Sequence, residues 1–174
     1  MKSAQLSRPL HTSVSSLCLR LLEPGDALGL HNLISRNIAH LTRHGDYAAL
    51  TSMSVAALEE KLSRADNTLR FAIVLDGALI GRIDLVGVEP PRYSVGYWLC
   101  ESATGRGYGS AALSTLIAFA RSSLEAADLY AGVTHGNGPS ERLLLRTGFA
   151  PAARFETYTR FHLGLGCDRL GPTA

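Results

Sequence analysis

Cysteine is scarce in this chain: Cys18, Cys100 and Cys167 lie far apart, three in all, with no C-x-x-C pair. An odd, scattered set speaks against a disulfide framework and against a zinc site, and suits idle thiols in a reducing cytoplasm. Charge of one sign is also lacking. Lys and Arg number 17 against 15 Asp and Glu, a net charge of +2, too slight a surplus to draw nucleic acid. No apolar run approaches the ~18–20 residues of a membrane span. Lys2 is followed by no apolar segment before Arg8, Pro9 and His11, so no secretory signal is expected. Internal repeats, low-complexity tracts and a composition shift that would mark a second domain are all missing.

What is present is the composition of a folded domain. The 174 residues are 46% hydrophobic and 18% charged. A chain of that length forms one domain and buries about 70% of its unfolded surface. Residues 1–15 are mixed and polar and read as a flexible arm, 16–164 as the domain, and 165–174 as a flexible tail.

One stretch carries more information than the rest. Tyr93 to Cys100 alternates Tyr93, Val95, Tyr97 and Leu99 with Ser94, Gly96 and Trp98, the period of a strand. Gly105, Gly107 and Gly109 follow on alternate positions. Leu113, Leu116, Ile117 and Ala120 then repeat with helical spacing. A glycine loop running into a helix N-terminus gathers unpaired N–H groups and the positive end of the helix dipole, which makes an anion site with phosphate as its commonest occupant. Ser110 and Ala111 follow the last glycine where a nucleotide P-loop needs Lys and Ser or Thr. The third glycine comes one residue early for the dinucleotide fingerprint.

The other elements are placed by the same signals. Leu17–Leu22 reads as a first strand, ended by Glu23-Pro24-Gly25. Asp26 is suited to cap a single helix with Leu30, Leu33, Ile34, Ile38 and Leu41 on one stripe. Of His31, His40 and His44, only His40 and His44 share a helix face, so solvated or substrate-cleft histidines are expected rather than a metal site. Residues 42–53 read as a loop, and Ser54 caps a second helix bearing Val55, Leu58 and Leu62. Phe71–Leu75 and Ala78–Val88 form a hairpin about Asp76-Gly77, ended by Glu89-Pro90-Pro91. Leu129–Thr134 is a strand, residues 139–146 a helix, and 149–155 with 157–163 a closing hairpin.

Gly96-Tyr97-Trp98-Leu99 ahead of Gly105-Arg106-Gly107-Tyr108-Gly109-Ser110 resembles the acetyl-CoA-binding segment of the GNAT N-acetyltransferases. The likeness is greatest to their ribosomal-protein N-terminal acetyltransferase branch. Asn137-Gly-Pro-Ser140 and then Gly148-Phe149 stand where that family has its second element. The resemblance implies a single-domain α/β fold with a mixed, mostly antiparallel twisted sheet of about 6–7 strands, about 4 helices and splayed central strands. It implies acetyl-CoA as cosubstrate, no metal, and direct transfer to a primary amine in a ternary complex. A degenerate module that binds acyl-CoA without catalysis is the alternative. The acceptor would be a peptide or small-molecule amine, in the cytoplasm, with neither nucleic acid nor membrane as partner. A homodimer through the last strands is compatible with the resemblance.

Carried onto this chain, the family pattern puts the diphosphate on the amides of Gly105, Gly107, Tyr108, Gly109 and Ser110, with Arg106 beside it. Thr104 opens the loop where relatives usually have Gln or Arg. Trp98, Leu99 and Cys100 would meet pantetheine, and Asn137 would bond it or cap its own helix. Ser140 either protonates the leaving thiolate or simply belongs to that helix start. Leu144 occupies the position of a proton-donating Tyr in many relatives, and Ser94 that of a Glu in this branch. Asp84 and Glu101 are candidate bases beside His135; Asp84 can equally be an ion-pair partner of Arg82. His44, Tyr47 and Tyr93 are candidate substrate contacts. An α-amine titrates near ~7.7–8.0 and a lysine near ~10.4, so a water relay suffices for the first and the second needs roughly a thousandfold more help. The lack of an evident base therefore points to an α-amine or similar acceptor rather than a lysine side chain.

Overall fold

Asp76 and Gly77 both take positive φ, 48° and 80°. That backbone fits the right-handed twist of two paired strands, and it turns β3 (Thr68–Leu75) back onto β4 (Ala78–Glu89) as the dipeptide predicts. Around this hairpin the computed structural model, which describes residues 8–44 and 47–166, builds one sheet of eight strands. Its further strands are β1 (Leu10–His11), β2 (Leu17–Leu21), β5 (Arg92–Leu99), β6 (Asp128–Thr134), β7 (Ala150–Arg154) and β8 (Tyr158–Gly164), in the order β1-β2-β3-β4-β5-β6-β8-β7. Every neighbouring pair is antiparallel except β5 and β6, which run parallel. The mixed, mostly antiparallel α/β architecture expected from the sequence is therefore present.

The helices are α1 (Ala27–Ser35), α2 (Ile38–Leu41), α3 (Ala48–Thr51), α4 (Val55–Ser63), α5 (Tyr108–Ser123) and α6 (Gly138–Arg146). Alternation along β3 sends Phe71 and Ile73 to one face and Ala72 and Val74 to the other. The first face packs against Leu113, Leu116 and Phe119 of α5, with Leu17, Leu19, Ile83, Leu85, Val95, Leu129 and Phe161. The second packs against Leu30 and Ile34 of α1 and Leu58 of α4, with Trp98. Each such side chain contributes roughly 1.5–3 kcal/mol on burial. No helix among the described residues is long and apolar enough to cross a membrane.

Four local readings change. The single helix expected over Asp26–Leu41 is two, because Asn37 breaks it. Its Nδ2 donates to the Leu33 carbonyl at 2.8 Å, and its Oδ1 accepts the Glu101 N–H at 2.9 Å. A side chain that satisfies backbone groups on two segments competes with helix continuation, and α2 restarts after it. Asp26 does not cap α1: both its oxygens are held by Arg20 at 2.7 Å and one accepts the Glu23 N–H. Within the stretch read as an arm, Leu10 and His11 pair with Leu19 and Cys18. Residues 42–53 also hold the one-turn helix α3. Ser54 does cap α4, accepting from the Ala57 N–H. Cys167 and the tail from residue 167 lie outside the described residues.

Two aspartates tie the chain by ion pairs whose pH response follows from their geometry. Bonds from Arg70, and then the Thr68 N–H, hold the Asp66 carboxyl down at about 2 against an ordinary 3.8. Arg20 lowers that of Asp26. A depressed carboxylate stabilises the fold above its unfolded pKa, and the contribution fades as pH falls toward the folded value. Stability is expected to decline between pH 4 and 2. In urea titrations, Asp66→Asn should lower stability at pH 7 and flatten that decline; an unchanged slope would contradict the assignment.

Candidate active site

β5 and β6 pair through three residues only: Arg92 with Asp128, Tyr93 with Leu129 and Ser94 with Tyr130. Beyond Ser94 the strands part, although β5 continues to Leu99 and β6 to Thr134. The parting opens a cleft of about 360 Å³. α6 and the glycine loop wall one side of it, and His40, Leu41, Arg43, His44 and Tyr47 wall another. The edge of β5 that left its partner carries backbone groups which must find hydrogen bonds elsewhere.

The loop is built as an anion cradle. Gly105 and Gly107 have φ of 72° and 84°, a left-handed backbone that costs other residues ~1–2 kcal/mol. Thr104 ends the preceding 3-10 turn by donating its hydroxyl to the Glu101 carbonyl at 2.7 Å. Its short side chain thus fixes the loop from below. The Ala111 N–H is the first to close a helical bond, onto the Gly107 carbonyl. The six amides from Gly105 to Ser110 donate to no acceptor among the described residues. Orphan amides at the N-terminus of a sixteen-residue helix are the donor set that a diphosphate fits. Gly109 permits close packing here: a Cβ on it would lie 2.6 Å from Leu143 of α6.

Also on the cleft, Tyr97 and Ser140 place two hydroxyls 2.7 Å apart, and the Tyr97 hydroxyl also lies 3.3 Å from the Ser140 carbonyl oxygen. Burial pushes the Tyr97 phenol up to about 12, with the Ser140 bond acting the other way. It therefore keeps its proton throughout neutral pH and can act only as a neutral donor or relay. Arg142 and Arg146, one turn apart on α6, line the cleft and make no ion pair among the described residues. No carboxylate lines it either, so the cleft carries a positive potential.

The candidates from sequence divide clearly. Trp98, Leu99, Thr104, Gly105, Gly107, Gly109, Ser110, Asn137, Ser140, His44 and Tyr47 come together as lining residues. Asn137 caps α6, its Oδ1 accepting the Ser140 N–H at 3.3 Å. The Tyr47 hydroxyl donates to the Tyr97 carbonyl at 2.6 Å. Arg106 is exposed on the loop, and Tyr108 packs against the core. Cys100 does not offer its backbone to a ligand: its N–H donates to Ile80 and its carbonyl accepts from Ala103. Tyr93 packs on the core behind the cleft. Asp84 is also outside, with both oxygens on the Arg82 guanidinium at 2.7 and 2.5 Å. Glu101 stands beside the cleft, bound to Arg43 at 2.9 Å. His135 is not among the lining residues. Leu144 is fully enclosed in the core. Sequence reasoning did not single out Tyr97, read only as part of the strand's alternation, or Arg142 and Arg146, and it left His40 between a solvated and a cleft position. Their spacing on α2 and α6 reads equally well as a solvated face.

A mixed sheet parted between two parallel central strands, with a glycine turn and helix N-terminus at the opening, defines the acetyltransferase class. The sequence profile of the acetyltransferase (GNAT) domain matches residues 16–150, and the chain belongs to this family. It is 30% identical over 141 residues to the Bacillus subtilis (strain 168) protein named "Putative ribosomal N-acetyltransferase YdaF", covering 76% of this chain and 77% of that one. Its fold is shared with RimL, a ribosomal L7/L12 α-N-protein acetyltransferase solved with coenzyme A. There the TM-score is 0.80 at 18% identity, over 90% of this chain and 98% of that one. It is shared also with Mycobacterium smegmatis RimJ in complex with a CoA disulfide, at TM-score 0.76 and 22% identity, over 90% and 86% of the two chains.

Two substitutions separate the cradle from the scaffold. A Cβ on Gly107 would meet nothing within 4 Å, so Gly107→Ala acts through backbone conformation alone. It should weaken acetyl-CoA binding about tenfold by calorimetry, the equivalent of ~1–2 kcal/mol. Asp84→Asn leaves Arg82, 6% exposed, without its partner and should cost about 2–3 kcal/mol of stability. Acetyl-CoA affinity of the folded protein should not change. Unchanged stability with lost turnover would instead make Asp84 a participant in the chemistry.

Proposed function

We propose that this protein transfers the acetyl group of acetyl-CoA to the α-amine of a peptide or to a comparably weak base. The observation that carries the reading is the conjunction of six unsatisfied amides with the unpaired edge of β5, both opening on one cleft. Gly105 to Ser110 hold the diphosphate, and Arg142 and Arg146 add positive charge from α6. The free edge of β5 from Val95 to Leu99 pairs with the amide-bearing arm as a further strand would. Bound acetyl-CoA supplies an activated thioester carbonyl. A backbone N–H on the same edge meets the developing oxyanion.

The departing sulfur needs a proton, and the hydroxyl pair is placed to give one. Ser140 on α6 and Tyr97 on β5 form a two-membered relay in the cleft. Tyr97, far too weak an acid to ionise near neutral pH, delivers a proton only as it receives another. This pair does the work that the enclosed Leu144 cannot, and it favours an enzyme over a silent CoA-binding module. A peptide α-amine accords with RimL, a ribosomal L7/L12 α-N-protein acetyltransferase, and the spermidine N-acetyltransferase among the similar structures makes a polyamine the small-amine counterpart to test.

Acetyl-CoA cleavage should be measured against peptides beginning with Ser or Ala, a lysine-bearing peptide blocked at its N-terminus, and a polyamine. The α-amine peptides are expected to turn over at neutral pH well ahead of the lysine. Preferential lysine acetylation would overturn the acceptor assignment. Tyr97→Phe and Ser140→Ala should each lower kcat about 10²-fold with acetyl-CoA affinity retained. Full activity in both would remove the relay.

A further inference from the structure

His40 lines the cleft, and its Nδ1 is buried without a hydrogen-bond partner. An enclosed imidazole nitrogen left unpaired is costly unless something completes it. The nearest acid is Glu101, whose Oε1 lies 4.0 Å from that nitrogen. Glu101 is held from two directions: Arg43 binds the same oxygen at 2.9 Å, and the Asn37 side chain accepts its backbone N–H. The break between α1 and α2 and the 3-10 turn after β5 are thus locked together at the point where imidazole and carboxylate meet. Catalytic hydrogen bonds are often long before substrates close the site, and 4.0 Å is a small rotamer adjustment from contact.

We infer that His40 is the general base for the acceptor amine and that Glu101 is its positioning residue. The inference rests on the acetyl-transfer reading above. A proton on Nδ1 directed at Glu101 leaves the Nε2 lone pair for the cleft. His40 Nε2 takes a proton from the acceptor ammonium. The freed amine nitrogen forms a bond to the thioester carbonyl carbon, and the carbon–sulfur bond breaks as the tetrahedral oxyanion collapses. The sulfur takes a proton from the Ser140–Tyr97 pair, which recovers it from the nitrogen that has become cationic on attack. His40 returns its proton to solvent, so the sum is amide, thiol and one released proton. The other charged or titratable groups on the cleft are Arg43, His44 and Tyr47 near His40, Tyr97 on β5, and Arg142 and Arg146 on α6. None of them is an acceptor at neutral pH as well placed as an imidazole backed by a carboxylate.

The test has an arm that needs no acceptor and one that does. In the acetyl-CoA-bound protein labelled with 15N-histidine, long-range correlation spectra assigned with His40→Gln should show His40 as the Nδ1–H tautomer. Glu101→Gln should shift it toward Nε2–H. An Nε2–H tautomer in the parent protein overturns the pairing. With a Ser- or Ala-initiated peptide, His40→Ala should lower kcat about 10²-fold while the thermal shift with acetyl-CoA is retained, and added imidazole should restore part of the rate. Glu101→Gln should lower kcat less, with KM for acetyl-CoA unchanged. Undiminished turnover in His40→Ala, or a loss that imidazole never rescues, refutes the base. Absence of turnover in the parent protein with every amine refutes the acetyl-transfer reading instead, and the tautomer still reports whether the pair exists.

Discussion

The structure depends on the separation of two strands that begin as neighbours. β5 and β6 share three residue pairs and then diverge, so a central strand of the sheet is left with an open edge in the middle of the molecule. Backbone polar groups so exposed are costly unless water or a ligand completes them. The fold keeps this edge because both flanks are secured independently. β4 holds β5 over eight residue pairs, and β8 holds β6 over seven. α5 connects the parted strands and buries Leu113, Leu116 and Phe119 against the face they share.

Charge is distributed with the same economy. The buried guanidiniums of Arg70 and Arg82 are each paired with an aspartate close in sequence, Asp66 and Asp84, away from the cleft. On the cleft, Arg43 is bound to Glu101, but Arg142 and Arg146 make no ion pair among the described residues. A paired charge contributes order to the scaffold; an unpaired one at a half-open site keeps its field for an incoming anion. Asn37 links these two regimes, since it ends α1 and fastens the 3-10 turn that carries Glu101.

The glycine loop and the parted strands are not the whole of the cleft of this acetyltransferase-family chain. His40, Arg43, His44 and Tyr47, from α2 and the positions before α3, line it as well. Tyr47 reaches across to the Tyr97 carbonyl, so it ties this group of residues to the β5 edge. The Tyr97–Ser140 hydroxyl pair stands on β5 and α6 and His40 on α2, on different elements around this junction.

Local chemistry alone determined a good deal. The Asp76-Gly77 turn, the Ser54 cap, the alternation of β5 and the glycine loop were legible because each depends on φ, on period or on bonds within a few residues. The anion cradle was legible for the same reason: its amides are orphaned by helix geometry whatever surrounds them. The sequence could not show that Asn37 splits a continuous apolar stripe, because the bond responsible comes from Glu101, sixty-four residues away. Nor could it show that Asp84 belongs to Arg82 and not to the cleft, or that Tyr97 meets Ser140 across forty-three residues. An alternating strand states which residues share a face, but not what stands opposite. Only the packing of β5 against α6 and of α2 against the 3-10 turn decided that, since side chains distant in sequence acquire their chemistry from the neighbours the tertiary fold brings to them.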